Sequence, residues 1–298
     1  MEETMAEELG NVSFPFLIRT RQPYRFIGGK VGMAPEIVRL MPRHHCYCEP
    51  FCGSAAVLFA KPLSPVEVVN DINGDLVNLL LQLRDHPAEL IQKLQLTPYS
   101  RAYFEDCTKL WREGGPKDKL ERALVWYYLQ TAGMSGNFGA GWSHATTDNK
   151  ATDYHHRVDG LRWLALRLRN VQIENRDYKQ VIANYDSPDT FFYLDPPYLL
   201  LSEALAKAYY GSVFNIENHK ELASVLSGIQ GKAIVSYYPH KLLDELYAKW
   251  ERIEIDVPKR SSGCEGDVEK PRATELLLFN YKPSMQLKLE LIQEEEPV

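Results

Sequence analysis

The chain has 298 residues, 45% of them hydrophobic, 25% charged and 11% aromatic, a composition that excludes disorder, collagen-like structure and coiled coil as global descriptions. With 34 basic against 40 acidic residues the net charge is −6, yet eight of the acids lie in residues 1–10 and 290–298, which hold no Lys or Arg, so residues 11–289 carry +2. No apolar run reaches the roughly 18–20 residues of a membrane-spanning helix, the acidic start Met1–Glu8 is unlike a signal peptide, and five cysteines suit a reducing, cytoplasmic setting.

Short β-branched or aromatic runs bounded by turn residues predict seven strands, at Cys46–Pro50, Val66–Asn70, Val171–Asn175, Thr190–Asp195, Lys232–Tyr237, Arg252–Val257 and Thr274–Tyr281. Helix-period segments lie between most of them: Ala55–Lys61, Asp75–Arg84, Asn218–Gly228 and His240–Trp250. Such alternation predicts a three-layer α/β fold around a mostly parallel sheet. It breaks once, between about Leu83 and Asn170, where helix-period stretches such as Leu120–Thr131 and Val158–Leu168 surround a glycine-rich loop, Gly133–Trp142. We therefore expect one domain from residues 11–82 and 171–285, an inserted helical domain over 83–170, and acidic tails at 1–10 and 290–298.

The first strand runs into Glu49-Pro50-Phe51-Cys52-Gly53-Ser54, a tight turn that opens a helix. That junction offers free backbone N–H groups at the sheet's carboxyl edge, where ligands bind in doubly wound folds. Only Gly53 is present where a dinucleotide fingerprint needs three glycines, so a ligand without phosphates fits better. Asp71 follows at the tip of the second strand, placed either to accept both hydroxyls of a ribose or to cap the next helix. Together the two motifs suggest an adenosine-containing ligand lacking a diphosphate.

The fourth strand stops at Asp195-Pro196-Pro197-Tyr198. A residue before proline is pushed out of the helical region and the two prolines donate no hydrogen bonds, so the Asp195 carboxylate and Pro196 carbonyl become fixed acceptors, suited to an amino group with two N–H donors. Tyr198 offers a flat face for stacking.

Taken in order, Gly28-Gly29-Lys30, Glu49–Ser54, Asp71-Ile72-Asn73 and Asp195-Pro196-Pro197-Tyr198 resemble the Dam-type (D12 class) adenine-N6 DNA methyltransferases, over about residues 23–281. The resemblance implies a Rossmann-like fold and S-adenosylmethionine as cofactor, held by Phe26, Lys30, the Phe51 and Gly53 turn, Asp71 at the ribose, and Asp177 with Tyr178 at the adenine. It implies that Asp195, Pro196, Pro197 and Tyr198 receive an adenine flipped out of double-stranded DNA, that the insertion reads the target, and that a monomer acts alone or beside a partner restriction enzyme. Phe26 stands where a tryptophan is usual and Ala55 where a glycine is common. The loop Gly133–Trp142 lacks the Asn-rich pattern of GATC-reading members.

A cytosine-N4, RNA or protein-amide methyltransferase and a catalytically silent DNA-binding module remain alternatives. Retention of Lys30, Asp71 and Asp195 argues against silence, and Asp195 in place of Asn argues against amide substrates. Arg162, Arg167 and Arg169, and the loop Lys259–Gly263 with Lys270 and Arg272, are candidate phosphate contacts or solvated surface. His44, His45, Cys46, Cys48 and Cys52 crowd together without a second pair at ligand spacing, so no metal is expected.

Overall fold

The computed structural model describes residues 30–134, 140–199, 214–258 and 272–283. Its strands are β1 (Cys46–Glu49), β2 (Val66–Asn70), β3 (Gln172–Glu174), β4 (Thr190–Leu194), β5 (Lys232–Tyr237), β6 (Glu251–Pro258) and β7 (Arg272–Phe279). They form one sheet in the order β3-β2-β1-β4-β5-β7-β6. β1 pairs in parallel with β2 and β4, β2 with β3 and β4 with β5, whereas β7 runs antiparallel to both β5 and β6. The mostly parallel seven-stranded α/β fold expected from the sequence is thus present, with β3 shortened to three residues.

Side-chain alternation sorts the core into two layers. Tyr47, Val69, Phe191, Tyr193, Ile234, Leu277 and Phe279 face one side, and Cys46, Cys48, Val68, Phe192, Leu194, Val235 and Leu278 the other. On the first side pack α1 (Ala34–Leu40), α2 (Ala56–Ala60) and α3 (Gly74–Asp85); on the second lie α8 (Tyr178–Tyr185), α9 (Ile216–Ser227) and α10 (Lys241–Leu246). The chain moves outward from β1 to β3 and then returns to the other side of β1, so its crossovers change face between β1 and β4. This is a topological switch point.

Among the described residues, four further helices separate β2 from β3 after α3: α4 (Pro87–Leu96), α5 (Arg101–Arg112), α6 (Lys119–Ala132) and α7 (Lys150–Leu168). Their apolar faces share a continuous core with the first side of the sheet, from Leu79 and Leu83 through Leu90, Phe104, Tyr128 and Tyr154. α7 begins well before the stretch singled out in the sequence because the Asn149 side chain caps it, accepting from the N–H groups of Ala151 and Thr152 at 3.1 Å each. α6 runs antiparallel to α3: the Asn78 amide donates to the Lys119 carbonyl at 2.8 Å, and Arg122 pairs with Asp75 at 2.5 Å. Continuing in that direction, α6 ends at Ala132 on the side of the sheet's carboxyl edge.

At the opposite edge, Glu67 of β2 is buried between two cations. Lys61 Nζ lies 2.5 Å from its Oε1, and both guanidinium nitrogens of Arg167 donate to the same carboxylate, one of them at 2.7 Å. Burial pushes Glu67 up, but hydrogen bonds from Arg167 and Lys61 outweigh it and hold the carboxylate below its ordinary range. Arg167 also donates to the Leu58 carbonyl at 3.2 Å. It therefore ties α7 to α2 and β2 and is no phosphate contact, because its side chain is only 1% exposed. Arg162 and Arg169 are exposed, and the loop Lys259–Gly263 with Lys270 lies outside the described residues, as does the side chain of Arg272.

Removing one partner of a buried, hydrogen-bonded ion group leaves a charge uncompensated. Arg167→Ala should lower unfolding stability by about 3–5 kcal/mol, measured by denaturant titration; a loss within experimental scatter would contradict the anchoring role.

Candidate functional site at the carboxyl edge

The turn after β1 is shaped by two left-handed residues. Gly53 has φ 45° and Ala55 φ 50°. Ala55 is fully buried, so the position where a glycine is common carries an L residue in a conformation that costs about 1–2 kcal/mol. The turn is locked to β2, with Cys52 N–H donating to the Asn70 carbonyl and Gly53 N–H to Asp71 Oδ2, each at 2.9 Å. Asp71 Oδ1 accepts from Asn73 N–H at 2.9 Å. The cap of α3 is Asn73, whose side chain accepts from Asp75 and Leu76 N–H, and this frees Asp71 from the capping role that the sequence left open. Burial pushes Asp71 up, and backbone N–H groups from Asn73, Gly53 and Ile72 work against that.

Beside the turn, Phe51 and Tyr178 lie with ring centroids 5.1 Å apart, and Phe214 meets them edge-on at 5.7 and 5.9 Å. Phe51 belongs to the turn that donates to Asp71, and no sequence signal singled out Phe214. Asp177 caps α8, its side chain accepting from Lys179 N–H at 2.9 Å. Its carboxylate is exposed, while Tyr178 is buried. Phe26 lies outside the described residues.

On the other side of the switch point, Pro196 and Pro197 are buried and Asp195 is half-buried. Ser236 Oγ on β5 donates to Asp195 Oδ1 at 2.9 Å, and Lys30 Nζ approaches the same oxygen at 3.1 Å. Both contacts fall on Oδ1; among the described residues no hydrogen bond reaches Oδ2. Lys30 also donates to the Tyr198 hydroxyl, which donates in turn to Glu275 Oε2 at 2.9 Å. The ring of Tyr198 meets Tyr238 edge-on at 4.7 Å. Burial lowers the Lys30 pKa, but attraction to Asp195 and Glu275 outweighs it and the ammonium is held above its usual range. The sequence marks Glu275-Leu276-Leu277 only as a strand in the style of the family and gives Glu275 no site role; the antiparallel course of β7 places it here.

Glu49, at the end of β1, is 2% exposed and accepts from the Tyr47 hydroxyl at 2.8 Å. Burial pushes its carboxyl up to about 8, with nearby Asp195 adding to the shift. The thiols of Cys46, Cys48 and Cys52 are free and buried in the core beneath. Among the described residues no helix is long and apolar enough to cross a membrane.

A family model described as D12 class N6 adenine-specific DNA methyltransferase matches residues 26–260. The chain is 26% identical to the type II methyltransferase M1.LlaDCHI of Lactococcus lactis subsp. cremoris, over 89% of this chain and 96% of that protein. It is 25% identical to the DNA adenine methylase of Escherichia coli, over 90% and 97%, and 23% identical to the type II methyltransferase M.MjaIII of Methanocaldococcus jannaschii, over 86% and 98%.

Two outcomes follow from the geometry of the turn and of Glu49. Ala55→Gly should change stability by less than about 1 kcal/mol, because relief of left-handed strain offsets the lost methyl and the greater freedom of the unfolded chain; Ala55→Val should cost more than about 2 kcal/mol. Equal losses in denaturant titrations would show that φ at this position stores no strain. Folded Glu49 keeps a proton that the unfolded chain gives up above about pH 4.5, so the native state binds more protons and stability falls as pH rises from there to about 8. Glu49→Gln should therefore melt above the parent protein near pH 8 and match it near pH 4.5; a gain independent of pH would contradict a protonated Glu49.

Proposed function

Because the chain belongs to the D12 class of N6 adenine-specific DNA methyltransferases, we propose that it transfers a methyl group from S-adenosylmethionine to N6 of an adenine rotated out of duplex DNA, by direct displacement at Asp195–Tyr198. The observation that carries this reading is the asymmetry of Asp195: one carboxylate oxygen is held by Ser236 and Lys30, and the other has no protein donor among the described residues.

The cofactor fits the residues at the turn. Asp71 Oδ2 accepts from Gly53 N–H and Oδ1 from Asn73 N–H, and the remaining lone-pair capacity of the carboxylate suits a ribose hydroxyl. Phe51, Tyr178 and Phe214 present aromatic surface to a flat base. Glu49 supplies a buried carboxyl that a cationic ligand would favour in its ionised form. Asp177, capped onto its own helix, can contribute to the adenine site through its backbone. When bound, S-adenosylmethionine supplies an electrophilic methyl on a sulfonium.

The protein's own contribution is placement and charge. Adenine N6 is a weak nucleophile because its lone pair is delocalised into the ring. Hydrogen bonds from N6–H to Asp195 Oδ2 and the Pro196 carbonyl would localise that pair and stabilise the positive charge that develops on nitrogen. Tyr198 provides the stacking face for the extruded base. No nucleophilic side chain is required.

We assign target reading to the helices between β2 and β3 and to the loop Gly133–Trp142. Of that loop, Trp142 is described, and Arg101 stacks its guanidinium 4.7 Å from the Trp142 ring centroid. The division into residues 11–82 with 171–285 and an inserted 83–170 describes this separation of roles.

Nucleoside mass spectrometry of duplex DNA incubated with protein and cofactor should detect N6-methyladenine, and Asp195→Ala should abolish it. Recovery of N4-methylcytosine would overturn the base assignment, and full activity of the variant the mechanism. Asp71→Ala should weaken cofactor binding about ten- to hundred-fold, as expected for hydrogen bonds to a charged acceptor; unchanged affinity by titration calorimetry in a folded variant would remove Asp71 from the ribose site.

A further inference from the structure

Glu275 stands on β7, the one strand reversed against its neighbours. That reversal brings the amino-terminal half of β7 to the carboxyl edge of the parallel strands, and the pairing of Leu276 with Tyr237 sets Glu275 just beyond the end of β5. Alternation along β7 sends Leu276 and Leu278 into the core layer that holds Phe192 and Val235. It sends Glu275, Leu277 and Phe279 to the opposite face, where the Lys30 turn leads into α1.

A carboxylate 5% exposed within a sheet is costly unless it is paired. Glu275 has two partners, the Tyr198 hydroxyl at 2.9 Å and the Lys30 ammonium at 3.6 Å. An ammonium has three N–H donors, and three acidic or hydroxyl oxygens surround this one: Asp195 Oδ1, Tyr198 Oη and Glu275 Oε2. Without Glu275, Lys30 would keep the Tyr198 hydroxyl and Asp195 among these contacts but lose the second carboxylate that balances the pull of Asp195.

We propose that Glu275 is a positioning residue for methyl transfer: by holding Lys30 and Tyr198 together it confines Lys30 to Asp195 Oδ1, keeps Oδ2 open for the adenine amine, and sets the Tyr198 ring before the base arrives. The inference rests on the adenine-N6 reading of the site. It describes a clamp rather than a proton relay, since the ammonium already carries its full complement of protons and cannot accept one from Asp195.

The test is a double-mutant cycle on the full chain with Glu275→Gln, Tyr198→Phe and the pair, reading kcat and KM on duplex DNA, cofactor affinity by calorimetry, and thermal unfolding. Each single change should lower kcat about tenfold, the loss of one charge-assisted hydrogen bond, with cofactor affinity within about threefold. The pair should lose less than the product of the two singles, because both changes remove the Tyr198–Glu275 hydrogen bond while each also removes a separate contact to Lys30. Glu275→Asp, which keeps the charge but falls one methylene short of Tyr198, should show the same loss of kcat and is the variant to read if Glu275→Gln unfolds early. Unchanged kcat in a folded Glu275 variant, or losses that multiply in the pair, would overturn the clamp. A parent protein that places no methyl on adenine would overturn the underlying reading as well, whereas an active parent insensitive to Glu275 overturns the clamp alone.

Discussion

β1 and β4 are hydrogen-bonded neighbours that run the same way, and the crossovers leaving them depart to opposite faces of the sheet. Backbone at their carboxyl ends consequently has no helix above it, and the polar groups there must find partners in turns, side chains or ligands. Everything in the site answers that constraint. The β1 turn bends back far enough to donate to Asp71, while the β4 turn spends two prolines that donate nothing and leaves Asp195 to be held from β5 and from Lys30.

Those two turns solve the problem with different physics. Around Asp71 the partners are backbone N–H groups, fixed by the chain path and indifferent to pH. Around Asp195 they are an ammonium, a second carboxylate and hydroxyls, enclosed by Tyr198, Tyr237 and Tyr238. In such surroundings each charge raises the cost of misplacing the others. The first arrangement suits a neutral hydroxyl-bearing ligand, and the second a reaction in which positive charge appears and must be met.

Much of this was legible because it is local. Strand and helix positions follow from hydrophobic period, and the turns announce themselves through Gly53, the Pro196-Pro197 pair and the acid at each strand tip. What could not be read depends on register or on distant pairing. Arg167 looks like surface charge in a linear sequence, and only the meeting of α7 with β2 shows it buried on Glu67. Glu275 sits in an apolar strand more than 70 residues from Tyr198; a carboxylate amid Leu276, Leu277 and Leu278 was the available clue, but its partner required the antiparallel seam. Phe214 joins the aromatic wall from beyond the fourth strand, with no spacing to mark it. The left-handed backbone at Ala55 had only an indirect signal, a glycine being common at that position, because alanine itself does not announce a positive φ.

The buried Glu67 group also has a mechanical side. It pins the carboxyl end of α7 at the amino edge of the sheet, while the other end of that helix, 17 residues away at Lys150, stands next to Trp142. At 1.5 Å per residue the helix is a lever about 25 Å long with its pivot at Arg167. A tilt of only about 5° would carry the Lys150 end by about 2 Å and leave the pivot unmoved. On the reading proposed above, any adjustment of these helices to a duplex is largest at the Lys150 end and smallest at Glu67.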